Sequence, residues 1–199
     1  MESNTNIVDK ASTLDVSQHP TAQKLIARCC ELFQEVQDLT PGEDLENRLN
    51  RVYGPGTPYY EDFSSFIRAG VAEGWVAQTE IDGRTYRRGR IVEPTAATRF
   101  FSITTVYMDS NTSPSAEDDV LRGQYHAHPY GEINCVIPLD ERAELRGMHG
   151  WQGAGWTSPA AGTHHFPETR GGALVALFFL PAGRISYNAR PGMPQPVVT

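Results

Sequence analysis

The sequence predicts an α+β protein, mainly β: an antiparallel β-barrel preceded by about three N-terminal helices. Two observations predict it. Apolar residues in the first third recur every three or four positions, the helical period, and from Trp75 onward they form short β-branched and aromatic runs broken by Gly and Pro. Helices first and strands afterwards mark a segregated architecture rather than alternating βαβ units.

Residues 1–19 are polar and without periodicity, so a flexible arm is expected there. Pro20 opens a helix whose stripe of Leu25, Ile26, Cys29, Leu32, Phe33 and Val36 runs to about Leu39. Thr40-Pro41 predicts the next start, with Thr40 as N-cap, Pro41 at the first helical position and Glu43 three residues after the cap. That helix carries Leu45, Leu49 and Val52 and stops at Gly54-Pro55-Gly56. A third, from about Tyr59 to Ala72, carries Phe63, Phe66, Ile67 and Val71, with Gly70 and Gly74 closing it. The helical segment therefore spans 20–74.

The run Trp75–Ile81 leads into Asp82-Gly83, a hairpin signal, and Arg84–Ile91 returns. Phe100–Met108 is a strand by composition, 109–119 a polar loop, and Ala173–Leu180 an apolar strand. A last strand is expected near Ile185–Asn188, ending a barrel over 75–188, with a proline-rich extended tail over 189–199.

Bulk numbers narrow the function. A formal charge of −7 disfavours nucleic acid and anionic membranes as partners. No apolar run approaches the roughly 18 residues that span a bilayer, and the polar start lacks a secretory pattern. Cys29, Cys30 and Cys135 form no disulfide framework, so reduced thiols in a cytoplasm are expected.

The chemistry concentrates in His126-Ala-His128-Pro-Tyr-Gly-Glu132 and Gly162-Thr-His164-His165. Histidines two apart on a strand share a face, Glu132 has the same parity, and Pro129-Tyr130-Gly131 can bend the chain to bring its carboxylate round. One further imidazole from a neighbouring strand, His164 or His165 but not both, would complete a three-nitrogen, one-oxygen site. Such a set suits one divalent transition-metal ion with positions left open; iron, manganese and zinc all fit. The alternative is a group of core or surface histidines that holds no metal.

These two motifs resemble those of the cupin superfamily, small jelly-roll β-barrels. His126, His128 and Glu132 match the first motif, and Gly153, Pro159, Gly162 and His165 follow the second. The spacing departs at Gly123, at Leu139, at Thr169, and in the two residues between Pro159 and Gly162. The resemblance implies metal ligands His126, His128, Glu132 and His165, and a homodimer. More narrowly, the chain resembles the 4-hydroxylaminobenzoate lyase family of nitroaromatic degradation, through its helical first third, Gly70–Ala77, Tyr86–Arg90, Tyr125–Asn134 and Gly155–Pro159. That resemblance implies conversion of 4-hydroxylaminobenzoate and water to 3,4-dihydroxybenzoate and ammonium.

Such a reaction needs proton donors and acceptors, a partner for the substrate carboxylate and a surface for the ring. His149 is the first candidate for acid–base work, with His164 and Tyr130, and then Tyr125 and Glu168, beside it. Arg88, Arg99 and Trp156 are candidates for binding the small aromatic substrate, although for Arg84, Arg88 and Arg90 the default reading is a solvated strand face. Two other functions use the same residues: an iron(II) dioxygenase acting on a small aromatic, and a non-catalytic metal-binding or sensor protein.

Overall fold

The structure, a computed structural model, describes residues 13–197. Three helices come first: α1 (Pro20–Val36), α2 (Glu43–Tyr53) and α3 (Pro58–Glu73). The strands are β1 (Thr79–Asp82), β2 (Tyr86–Val92), β3 (Phe101–Asp109), β4 (Val120–Arg122), β5 (His126–Ala127) and β6 (Ile133–Pro138). They continue as β7 (Glu144–Gly147), β8 (Gly150–Gln152), β9 (Gly155–Thr157), β10 (His164–His165), β11 (Glu168–Arg170) and β12 (Ala173–Pro181). Every strand pair is antiparallel.

Among the described residues these strands form a six-stranded sheet (β1-β2-β3-β12-β6-β9), a four-stranded sheet (β4-β11-β7-β8) and a two-stranded ribbon (β10-β5), the double-sheet form of a jelly roll rather than one continuously closed sheet.

Apart from its exposed edge strand β1, the six-stranded sheet is largely buried on both sides, and the period of two sorts its residues. Ile133, Cys135 and Ile137 of β6, Val175, Leu177 and Phe179 of β12, and Phe101 and Ile103 of β3 join Leu25, Phe33, Leu49 and Phe63 of the helices in one core. Phe33 stacks on Phe101 with centroids 4.8 Å apart and meets Phe179 edge-on at 4.9 Å, so α1 lies directly on the sheet. The alternate residues, Asn134, Ala176, Phe178, Val106 and Met108, face away from the helices and line a pocket. Covering one sheet face with helices thus leaves the other free to build a site.

Several boundaries differ from expectation. The second helix begins at Glu43 with Gly42 as N-cap, not at Thr40. Pro41 is spent on packing against Gly131, where an added Cβ would collide with the Pro41 ring, and the Gly42 N–H donates to Ser158 Oγ at 3.3 Å. Gly74 closes α3 in the left-handed conformation, whereas Gly70 lies inside it, beneath the Trp75 indole. A Cβ at residue 70 would overlap the indole, which is buried. Gly70→Ala is therefore expected to destabilise the fold by about 1–3 kcal/mol despite the better helix propensity of Ala, as read from urea unfolding.

Of the arm expected over 1–19, residues 1–12 lie outside the described residues. The rest is packed, not free: the Leu14 N–H donates to Arg90 O at 3.0 Å, its side chain is buried, and Val16–Gln18 form a 3-10 turn. The last strand expected near 185–188 is a single bridge, Ala127 to Ser186. No helix among the described residues is long and apolar enough to cross a membrane.

Candidate metal centre and its pocket

The ribbon β5–β10 sets the geometry. Its register places His126 opposite His165 and Ala127 opposite His164, so His126 and His165 share one face and His164 takes the other. Beyond β5 the pairing continues, the His128 N–H donating to Thr163 O at 2.9 Å and the Gly162 N–H to His128 O at 2.7 Å. His128, two residues from His126, returns to the same face. Ring centroids lie 4.9, 5.2 and 5.0 Å apart for His126–His128, His126–His165 and His128–His165, nearly an equilateral triangle. One nitrogen from each falls within 4.8 Å of the others, a group that could hold a metal ion.

Hydrogen bonding fixes which nitrogens are free. His126 Nδ1 donates to Gln124 O at 2.9 Å, and His128 Nδ1 to Thr163 O at 2.9 Å. A carbonyl can only accept, so each neutral ring carries its proton on Nδ1 and turns a bare lone pair outward from Nε2. The Nε2 of His128 is buried without a hydrogen-bond partner. Burial lowers the basicity of all three, to about 4 for His126, to about 3 for His165, and well below the usual range for His128; the positive charge of Arg88 adds to it at His126, and repulsion from neighbouring charged imidazoles at His128 and His165. Neutral imidazoles, carbonyl-anchored on two of the three rings, with a buried orphan lone pair are the state a divalent cation requires.

Glu132 lies in the same pocket but outside the three-histidine group. Its backbone is pinned by a bond from its N–H to Pro159 O at 3.0 Å and one from Ser158 Oγ to its own carbonyl at 3.0 Å. Desolvation pushes its carboxyl up to about 7, against the opposing hydrogen bond from Asn134. A cation beside it would reverse that shift, since opposite charge favours the carboxylate.

The pocket, about 570 Å³ with its mouth included, opens between the two larger sheets. Val106, Met108, Leu145 and Phe178 give it apolar walls, and Tyr86, Arg88, Arg146 and Tyr187 a polar rim. Arg88, half-buried, thus lines the pocket, hydrogen-bonded to Tyr187 Oη with its guanidinium 5.8 Å from that ring. Arg146 also carries an ion pair to Glu168 at 2.8 Å, which Arg122 matches on the other carboxylate oxygen.

Other sequence candidates lie elsewhere. His149 sits on the β7–β8 turn with Nδ1 3.2 Å from Glu46 of α2, fastening that turn to the helix. His164 points away from the pocket, to Tyr125 Oη and Pro194 O. Tyr130 is exposed on the loop after β5, and Arg99 is exposed in a tight turn at φ 51°. Trp156 is fully buried under the helices, its indole N–H donating to Tyr53 O at 2.8 Å. Its neighbour Thr157 is the residue of β9 that reaches the pocket. Asn134, Phe178, Tyr86, Arg146 and Tyr187 are pocket residues the sequence analysis did not select. For Asn134 the signal was available, because it shares the parity of Glu132.

Residues 27–187 match the sequence pattern of the 4-hydroxylaminobenzoate lyase family. A 4-hydroxylaminobenzoate lyase of Nocardioides sp. (strain LMS-CY) is 52% identical over 171 residues, covering 86% of this chain and 97% of the relative. Another of that description, from Pseudomonas putida, is 53% identical over 166 residues, covering 83% and 94%. Among solved structures, one of the DMSP lyases RdDddP and RnDddQII aligns at TM-score 0.40 and 13% identity, over 85% of this chain and 98% of that one. The DMSP lyase DddQ of Ruegeria pomeroyi DSS-3 aligns at 0.39 and 17%, over 87% and 99%. With the family pattern matched from residue 27 to 187 and two relatives more than half identical over nearly their whole length, this chain belongs to the 4-hydroxylaminobenzoate lyase family.

Proposed function

We propose that the protein is a metal-dependent 4-hydroxylaminobenzoate lyase that takes its substrate and water to 3,4-dihydroxybenzoate and ammonium. The observation that carries the metal dependence is the buried, unpartnered Nε2 of His128 inside a triangle of neutral imidazoles. His126, His128 and His165 would hold the ion, with Glu132 as the oxygen donor beside them. A divalent ion there supplies Lewis acidity towards an oxygen, that of the departing hydroxyl or of water. The overall change is redox-neutral: the N–O and C–N bonds and one ring C–H break, two C–O bonds form, and nitrogen gains the two electrons that the ring loses. Neither dioxygen nor an external reductant enters the balance.

The chain's own part is to bind and orient. Phe178, Met108, Val106 and Leu145 offer apolar surface to the ring and exclude water from it. Arg88 and Arg146 make the pocket attractive to a carboxylate, and Arg88 adds a planar fork already steadied by Tyr187. Arg88→Met is expected to lower kcat/KM for 4-hydroxylaminobenzoate about 10–100-fold, the worth of a charge-assisted hydrogen bond, while leaving uncharged phenylhydroxylamine nearly unaffected. Equal losses on both would remove Arg88 from carboxylate binding.

The enzyme is proposed to be cytoplasmic, in keeping with its free cysteines, and, by resemblance to cupins alone, a homodimer. The test of function is an anaerobic incubation of metal-replete protein with 4-hydroxylaminobenzoate, quantifying ammonium and 3,4-dihydroxybenzoate with a chelated control. Product without oxygen, lost on chelation, is the expected result. Turnover that waits for air and iron(II) would instead indicate an oxygenase, and product that survives chelation would remove the metal from the reaction.

A further inference from the structure

Two of the three imidazoles sit on strands of two residues each, and the ribbon they form belongs to neither larger sheet. A two-stranded ribbon is marginal by itself, so something else must hold it. The C-terminal segment does so on both edges. On the outer edge of β5, the Ala127 N–H donates to Ser186 O at 2.7 Å and the Ser186 N–H to Ala127 O at 3.0 Å. On the outer edge of β10 the partner is a side chain. The His164 N–H donates to Gln195 Oε1 at 3.1 Å, and Gln195 Nε2 donates to His164 O at 2.6 Å. A primary amide presents an acceptor and a donor in one plane, so Gln195 reproduces the reciprocal pairing of a strand residue. The His164 ring is pegged into the same segment. Its Nε2 donates to Pro194 O at 3.2 Å, which leaves Nδ1 to accept from Tyr125 Oη, and Pro196 lies over Gly162 at the start of the turn.

We infer that the C-terminal tail is a clasp for the metal-bearing ribbon, with Gln195 as a positioning residue that keeps His164 outward and so His165 inward. The inference rests on the metal centre proposed above and adds a segment beyond the matched residues 27–187. The physical argument is one of register. His164 and His165 are chemically identical neighbours on opposite faces, and a one-residue slip of β10 would exchange them. The clasp makes them unequal, because Gln195 and Pro194 engage His164 at both backbone and ring. Without it the ribbon samples arrangements in which His165 leaves the triangle. Apparent metal affinity then falls in proportion to the fraction that remains competent.

The test is Co(II) affinity of the full-length metal-free protein, by competition with a chromogenic chelator, for wild type, Gln195→Ala and a chain ending at residue 189. Val197→Ala, at a position that is 89% exposed, is the control. Gln195→Ala is expected to weaken Co(II) binding about tenfold, near the lower end for residues that orient metal ligands, and to change the visible Co(II) spectrum while leaving the metal-free unfolding midpoint unchanged. Truncation should weaken binding at least as much. Affinity within threefold of wild type for Gln195→Ala overturns the clasp, as does a loss that merely tracks a lower metal-free midpoint. If the truncated chain fails to fold, Gln195→Ala decides. Wild type that does not bind Co(II) would sink the metal centre and the clasp together, whereas normal wild-type binding with an indifferent variant sinks the clasp alone.

Discussion

His128→Ala should abolish both stoichiometric metal binding and product formation while leaving a folded chain. His128 is the most enclosed member of the triangle, fully buried, with Nδ1 held by both the carbonyl and the hydroxyl of Thr163. Removing it deletes a donor outright, a larger loss than the about 10–100-fold that follows when only an orienting partner is removed. Stability separates this from misfolding. Metal at a hundredfold excess over its dissociation constant stabilises a binding-competent fold by about 2.7 kcal/mol. Added metal should therefore raise the unfolding midpoint of wild type and not that of His128→Ala. Meanwhile the metal-free variant loses the Thr163 bonds but also sheds the unpartnered Nε2, two changes of opposite sign. A variant that still takes up one metal per chain and turns over would show that the ion sits elsewhere.

Local periodicity made much of this legible. The stripe of Leu25, Cys29, Leu32, Phe33 and Val36 becomes the buried face of α1, and Asp82-Gly83 turns the β1–β2 hairpin. Parity put His126 and His128 together, while Cys135, of opposite parity to Glu132, lies in the core shared with the helices. Long-range packing was not legible. Nothing local says that the six-stranded sheet carries helices on one face, so Trp156 could not be told from a pocket aromatic, nor Arg88 from a solvated one. His149 is drawn off by Glu46, over a hundred positions earlier in the chain, and His164 by Pro194 and Gln195. The helix start at Thr40 failed for the same kind of reason, Pro41 being occupied by Gly131. In each case a chemically sensible residue was claimed by a distant partner that no spacing encodes.

The metal-free protein should lose stability steeply on the acid side of neutrality, and bound metal should displace that loss to lower pH. In the unfolded chain a histidine takes its proton near 6.5; in the folded, metal-free centre burial defers this to about 4 at His126, to about 3 at His165, and well below the usual range at His128. Between about 4 and 6.5 the unfolded state therefore binds more protons, so stability rises with pH there and falls as the pH drops below 6.5. His126 alone is worth on the order of 3 kcal/mol by pH 4, against total stabilities of about 5–15 kcal/mol for ordinary domains. Glu132 works the other way. Its carboxyl titrates near 7 in the fold and near 4.5 outside it, so over that interval it favours folding as the pH falls. One opposing group against three leaves a net loss on acidification, and stability should peak near pH 6.5–7. Urea midpoints across pH 4–8, with and without saturating metal, check the argument. With metal bound, the imidazoles are occupied and Glu132 is ionised, so the high plateau should extend downward until protons compete the ion away. A metal-free midpoint that stays flat from pH 6.5 to 4.5 would mean that the three imidazoles are already solvated and charged, and such a site would not be preformed for a cation.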